Sequence, residues 1–381
     1  MTRRSVVFGA PFLLLGAAAP YKSKTMLLME EESNDTKSSL YSFKRVAEER
    51  KIDMGAAVPW TEYSLQSNVA MQQVLKDNFS ILVHEYDFNW DQNNPQESMF
   101  QDSSKLRQIF DFASKNQKKV RGHTLYYYQN LPKPIIALCG DKANTTADIE
   151  KTISAWVMKR VDRYRDRISY WVINEMIDEK DGSLSFDPVT KRLGDRVFDV
   201  LYNAAKTADP NVVIELNDNT LCYAKYPRFL KNIMNLHDKL ESRGTKIARL
   251  GIQAHFGPMN RKWDEKPSLD PPAYRAIRDK GLKLNISEID VDDRGFNGGD
   301  PDRDLYVAQV YYEYLAMVTR FDNLAEVTSW SPFDADNWIK RGDKDRWAGA
   351  KGDPGSRAGW FDKNFTPKLS YFATAKALLS V

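Results

Sequence analysis

Cysteine is nearly missing from the 381 residues, with Cys139 and Cys222 the two present. They allow one bridge at most, so a disulfide-built scaffold is excluded, and no CxxC or Cys/His cluster points to zinc. An excess of charge is also missing: Lys+Arg 55 against Asp+Glu 52 leaves +3, too balanced for an electrostatically driven nucleic-acid binder. No Gly-rich phosphate loop follows the first candidate strand, and the P-loop, GxSxG and HExxH signatures do not occur. Long apolar runs are lacking as well. The stretch from Phe8 to Ala19, about 12 residues, is too short to cross a bilayer of roughly 30 Å as a helix.

What is present is an ordinary globular composition, 42% hydrophobic and 28% charged, which excludes disordered and collagen-like chains. The N-terminus stands apart. Arg3-Arg4 precedes the short apolar run, which ends in Gly16-Ala17-Ala18-Ala19; a charged start, a short apolar centre and a small-residue end read as a twin-arginine-like export signal over residues 1–20. Residues 21–42 are polar and acidic and read as a linker or arm. Residues 43–381 read as one domain. The expected location is periplasmic or extracellular, with no membrane contact in the mature form.

From Met54 onward, short β-rich runs alternate with stretches of helical period. The runs are Met54–Val58, Ser80–Glu85, Lys119–Leu125, Ile168–Glu175, Val212–Asn217, Leu250–His255, Leu282–Glu288 and Val327–Phe333. Between them the pattern predicts helices over Ser103–Asn116, Thr146–Arg165, Leu193–Ala208, Pro227–Arg243, Pro271–Lys280 and Asp304–Arg320. Eight strand–helix repeats argue for an α/β fold, a single (β/α)8 TIM barrel. Seven runs finish in a polar or aromatic residue: Glu85, His123, Asn174-Glu175, Asn217, His255, Glu288 and Trp330. Such residues line the C-terminal rim, where the reactions of this fold take place.

Glu175 and Glu288 stand out among them. On strands four and seven they face each other across the barrel mouth, and two facing carboxyl groups match cleavage of a glycosidic bond. One must hold a proton, for which burial raises its pKa, and the other must stay ionised. An isolated Glu is more simply a solvated or salt-bridged side chain; the pairing is what changes the reading.

These residues resemble a family. Gly122-His123-Thr124-Leu125, Asn174-Glu175, Gly251-Ile252-Gln253-Ala254-His255, Ser287-Glu288-Ile289-Asp290, Trp330 with Trp338, and Pro367-Lys368 are similar, in order and spacing, to motifs of glycoside hydrolase family 10, the xylanase family. The resemblance runs from about Met54 to Leu378. It implies a (β/α)8 barrel and a retaining mechanism, with Glu175 as general acid/base and Glu288 as nucleophile. It further implies that Asn174 holds the sugar 2-hydroxyl and that His255 bonds the nucleophile with Asp290 behind it. His123, Asn217 and Gln253 would line the same subsite, roofed and walled by Trp330 and Trp338. A polysaccharide or oligosaccharide is the expected partner of a monomer needing no cofactor or metal.

The departures fall on the glycone side. The family's Glu-Asn-x-Met-Lys-Trp is here Glu85-Tyr86-Asp87-Phe88-Asn89-Trp90, so Glu85 and Trp90 match while Tyr86 and Asn89 replace Asn and Lys. The family's Val-Trp-His-Ser-Gln-Leu-Pro is here Tyr126-Tyr127-Tyr128-Gln129-Asn130-Leu131-Pro132, and Tyr127, Tyr128 and Asn130 take the place of sugar-reading residues. Tyr170-Trp171 stands for the Trp-Asp that opens the acid/base strand. The expectation is an endo-β-1,4-xylanase with a rebuilt glycone site. The alternatives are a member acting on another β-linked glycan, such as a decorated xylan or a bacterial exopolysaccharide, or a non-catalytic glycan-binding protein. The Asp-rich stretch Asp290–Asp304 misses the EF-hand spacing, with Arg294 and Pro301 at ligand positions, and reads as a solvated loop whose Gly-rich centre, residues 295–299, reaches toward the cleft.

Overall fold

Every one of the eight apolar runs overlaps a parallel strand. The structure, a computed structural model, describes residues 37–38, 40–59, 65–85, 104–177, 183–218, 227–257, 271–294, 296, 298–342 and 355–380. The export-signal reading, most of the linker and Cys222 lie outside the described residues.

The strands are β1 (Asp53–Val58), β2 (Ile81–His84), β3 (Lys119–Tyr127), β4 (Tyr170–Asn174), β5 (Ile214–Asp218), β6 (Arg249–Ile252), β7 (Lys283–Val291) and β8 (Leu324–Ser329). Each pairs in parallel with its neighbours in sequence, β6 pairs with β7, and β8 pairs with β1, so the sheet closes on itself. Closure explains why the runs lack alternation: one face of each strand meets the barrel interior and the other meets a helix, so both must be buried. Helices Val69–Asn78, Ser104–Lys115, Thr146–Arg163, Arg196–Ala208, Pro227–Ser242, Pro271–Asp279, Asp300–Val318 and Leu369–Leu379 follow the eight strands in turn. Among the described residues no helix is long and apolar enough to cross a membrane.

Boundaries differ from the sequence pattern in places with physical causes. The helix expected over Leu193–Ala208 starts at Arg196; Leu193 instead closes a first, short helix, Pro188–Leu193, which Gly194 ends at φ 58°. The first is entered through a capping box in which Asp187 and Thr190 satisfy each other's backbone N–H. The last strand starts at Leu324 and stops at Ser329, placing Trp330 just beyond it.

The interior of the barrel is more polar than the branched aliphatic layers that fill most such barrels. Arg121, Glu215, Asn285, Glu326 and Tyr170 are all buried there. Tyr170 donates to Glu326 Oε2 at 2.7 Å, and Thr328 donates to its other oxygen at 2.6 Å. Asn285 donates to Glu215, and Arg121 Nη2 lies 3.3 Å from Glu215 Oε1.

The stretch Asp290–Asp304 is not the solvated loop expected from its composition. Asp290, Asp292 and Asp293 are buried. Arg294 Nε donates to Asp292 at 2.9 Å; Arg303 Nε and the Arg357 backbone N–H donate to Asp293 at 2.7 and 3.2 Å. From Asp300 the chain is already helical. Its carboxylates tie this stretch to the segment before the last helix, with Arg357 Nε donating to Asp304 at 2.8 Å and Lys368 Nζ lying 3.0 Å from Asp304 Oδ1. Residues 295 and 297, in the Gly-rich centre, lie outside the described residues.

Candidate active site

Three irregularities at the strand ends gather the polar residues. The β7 register against β8 shifts between Ile286 and Ile289. A regular strand would turn consecutive residues to opposite faces; the shift lets both Ser287 and Glu288 reach Asn217. Glu175, just past β4, has φ 50°, and Ala254, between Gln253 and His255, has φ 61°. Non-glycine residues in this left-handed region carry strain of about 1 kcal/mol or more, which the surrounding packing must hold. Through these turns Asn174 and Glu175, successive in sequence, meet the same Gln253 side chain.

A chain of amide hydrogen bonds joins the two carboxyl groups. Gln253 Nε2 donates to Glu175 Oε1 at 2.9 Å and to Asn174 Oδ1 at 3.4 Å. Asn217 Nδ2 donates to Asn174 Oδ1 and to Glu288 Oε1, both at 2.7 Å, and Ser287 Oγ donates back to Asn217 Oδ1 at 2.5 Å. Every amide in this chain has its orientation fixed by its neighbours.

The surroundings push the two carboxyls apart. Burial raises the Glu175 pKa; the Gln253 and Tyr127 hydrogen bonds oppose this, and the Glu288 charge adds to it, for a net rise. Glu288 is buried too, but the His255 hydrogen bond and the charges of His123, Arg121 and His255 more than offset that, and its pKa falls to about 2. His255 Nε2 lies 3.5 Å from Glu288 Oε2, and its Nδ1 lies 2.8 Å from Asp290 Oδ1. Burial opposes a charged imidazole, yet Asp290 and Glu288 raise His255 to about 10. Near neutral pH the site therefore holds an ionised Glu288 and a cationic His255, beside a Glu175 whose pKa is biased upward by burial.

The remaining predicted residues take definite places. Trp338 Nε1 donates to Asp290 Oδ2 at 2.6 Å, and Ser331 Oγ donates to the same oxygen at 2.9 Å. The Trp338 ring meets His255 edge to face, 5.4 Å between centroids, and Trp330 lies 4.8 Å from the His123 ring. Tyr127 donates its hydroxyl to Glu175 Oε2 at 2.9 Å. Tyr128 meets the Tyr127 ring, and Asn130 is buried in the turn that follows β3. Glu85 is buried and ion-paired with Arg341, which also pairs with Asp336. Tyr86, Asn89 and Trp90 lie outside the described residues.

Sequence reasoning missed Arg121, Ser287, Ser331 and Gln129. Arg121 Nη2 lies 3.6 Å from Glu288 Oε1, and Nη1 donates to the Ser287 carbonyl at 2.6 Å. One signal for it was available: a charged residue inside a run that must be buried on both faces.

The family model described as glycosyl hydrolase family 10 matches residues 42–377. A β-1,4-xylanase of Dictyoglomus thermophilum is 25% identical over 319 residues, 80% of this chain and 84% of its own length. Endo-1,4-β-xylanase B of Thermotoga neapolitana is 26% identical over 342 residues, covering 86% and 89%. Among solved structures, native xylanase 10B from Thermotoga maritima superposes with a TM-score of 0.74 at 22% identity, over 89% of this chain and 98% of that one. Xylanase 10B from Thermotoga petrophila RKU-1 in complex with xylobiose gives 0.72 at 20% identity, covering 89% and 97%.

Proposed function

The chain belongs to glycosyl hydrolase family 10, and from that premise we propose that it is a retaining endo-β-1,4-xylanase acting by double displacement. Glu175 is the acid/base and Glu288 the nucleophile. The observation that carries this reading is the opposite bias of the two carboxyls, one raised and one held at about 2, along one chain of amide hydrogen bonds. The names of its relatives, β-1,4-xylanases and endo-1,4-β-xylanases, support the substrate.

The chemistry follows from those charges. Protonated Glu175 gives its proton to the departing glycosidic oxygen while Glu288 attacks the anomeric carbon. Once Glu288 is an ester its negative charge is gone, and with it one cause of the raised Glu175 pKa. Glu175 is then a weaker acid-holder and, now ionised, takes a proton from the incoming water. Asn174 has its Oδ1 engaged by Asn217 and Gln253, so what it offers a sugar is amide N–H, suited to the 2-hydroxyl oxygen. His255 and Arg121 keep Glu288 ionised between turnovers.

A second reading, action on another β-linked glycan, is favoured by the tyrosines after β3. Hydrolysis of xylan, decorated xylans and other β-glycans, with Glu288→Ala as the blank, separates the two. The expected result is hydrolysis with retained anomeric configuration, labelling of Glu288 by a 2-deoxy-2-fluoro glycoside, and a loss of about 10⁴-fold or more in the variant. Binding without hydrolysis of any β-glycan would leave a glycan-binding protein instead.

A further inference from the structure

Tyr127 stands where the family pattern carries tryptophan, and its phenol is bonded to the carboxyl that the reading above makes the acid/base. Its hydroxyl donates to Glu175 Oε2 at 2.9 Å. Gln129 reaches the same oxygen at 3.4 Å and spends its other amide proton on the Tyr128 hydroxyl at 3.0 Å. The Tyr127 and Tyr128 rings meet edge to face, 5.7 Å apart at 86°, which fixes the direction of the phenol. The opposite oxygen, Oε1, accepts from Gln253 at 2.9 Å. Oε1 meets an amide N–H, which can only donate, whereas Oε2 also meets a hydroxyl that can accept, so the proton of the neutral acid finds its partner on Oε2. A phenol both donates and accepts, whereas an indole N–H only donates.

We infer that Tyr127 is the positioning residue of the acid/base, holding Glu175 Oε2 through both of its protonation states: it donates to the carboxylate and accepts from the acid until the leaving oxygen takes that proton. The pairing of Tyr127 with Glu175 rests on the acid/base reading of Glu175. It adds that the phenol of this chain, which can donate and accept where an indole only donates, follows the proton. No atom is gained or lost by Tyr127 in the cycle; its hydroxyl hydrogen rotates.

Two substrates read this role. An oligosaccharide with a sugar leaving group needs the acid, while an aryl glycoside with a dinitrophenolate leaving group does not. In Tyr127→Phe, kcat/KM on the oligosaccharide should fall about 10–100-fold while the activated glycoside stays within about threefold. Loss of a donor to the carboxylate favours its protonated form, so the alkaline limb of the oligosaccharide profile should move to higher pH. In Tyr127→Trp, a donor is restored but not an acceptor: the limb should return to its original place while the oligosaccharide rate stays several-fold low. An unmoved limb in Tyr127→Phe, or equal losses on both substrates, would overturn the inference. So would full activity of Tyr127→Trp, which carries the test if the Phe variant does not fold. Glu175→Ala serves as the reference. If it does not selectively lose the oligosaccharide, with azide rescuing the activated glycoside, the acid/base reading itself falls, and that result is distinct from any behaviour of Tyr127.

Discussion

Glu288 owes its ionisation to groups that are themselves held by others. Its nearest cation, His255, is charged because Asp290 lies 2.8 Å from Nδ1, and Asp290 is fixed in turn by Trp338 and Ser331. Asp290→Asn keeps the shape and removes that charge. His255, raised to about 10 by its partners, should then drop as burial dominates, and Glu288 loses one of the cations that hold it ionised while Arg121 remains. The Glu288 pKa rises, so the acid limb of kcat/KM moves to higher pH. The rate at neutral pH should fall roughly tenfold or more, since a charge-assisted hydrogen bond is worth about 1.5–3 kcal/mol and 1.4 kcal/mol is tenfold. Stability follows the same groups with opposite signs. The depressed Glu288 stabilises the fold above its ordinary 4.5 and loses this as pH falls toward about 2. The raised His255 stabilises below its ordinary 6.5 and loses this as pH climbs toward about 10. The Tm cost of Asp290→Asn should therefore be greatest between those ordinary values and shrink on either side, which thermal unfolding across pH measures. A cost independent of pH would refute the linkage.

At the level of elements, the strands supply positions and their irregular ends supply aim. β6 illustrates how little room remains. A Cβ on Gly251 would press on Asn217 Oδ1 and come within 2.7 Å of Glu215 Oε1. Asn217 cannot retreat without breaking its bonds to Asn174, Ser287 and Glu288. Gly251→Ala should cost about 1–3 kcal/mol by overpacking and lower kcat/KM at least about tenfold by displacing the amide chain. A variant with lowered Tm but full activity would show that the chain tolerates the shift. The same element explains what the sequence could and could not reveal. Runs such as Leu250–His255 announce a strand by composition, and the residues closing them announce a rim. The shift between Ile286 and Ile289 and the left-handed turns at Glu175 and Ala254 carry no compositional mark, because tertiary packing imposes them. Gly194 was visible as a residue but not as a helix break. The acids after β7 looked solvated because one of their partners, Arg357, lies 64 residues beyond Asp293 and only the fold brings it near. Arg121 was legible in principle, since a strand buried on both faces has no solvent for a guanidinium.

Across the whole molecule, on the reading proposed above, the barrel divides its rim between two jobs, hydrolysis and reading of the glycone. The ends of β4 to β7 carry the carboxyl pair and its amide chain, braced from inside the barrel by Arg121. The turn after β3 carries Tyr128 and Asn130, which depart from the family pattern; Asn89, which departs from it too, lies outside the described residues. A closed parallel sheet fixes the positions of both arcs, which touch where Tyr127 and Gln129 reach Glu175 Oε2. The glycone arc here offers phenols and carboxamides where the family offers imidazole and ammonium groups. Tyrosine gives a face for stacking and a hydroxyl at a set distance, and a buried subsite whose polar groups go unpaired loses about 1–3 kcal/mol for each. This arc should therefore favour a sugar whose edge differs from that of plain xylose. Unsubstituted xylo-oligosaccharides should be cut poorly, and Tyr128→His combined with Asn89→Lys should raise kcat/KM on them by one to three orders of magnitude, taking about 1.4 kcal/mol per tenfold. An activated aryl glycoside needs no acid, so its rate should stay within about threefold even though Tyr128→His removes the ring packed against Tyr127. The opposing view holds that the tyrosines fill space and the glycone arc reads ordinary xylan. Kinetics of the unmodified protein on xylotetraose and on decorated oligosaccharides of equal length decide between them: a preference for the plain substrate, unimproved by the double substitution, would establish the opposing view.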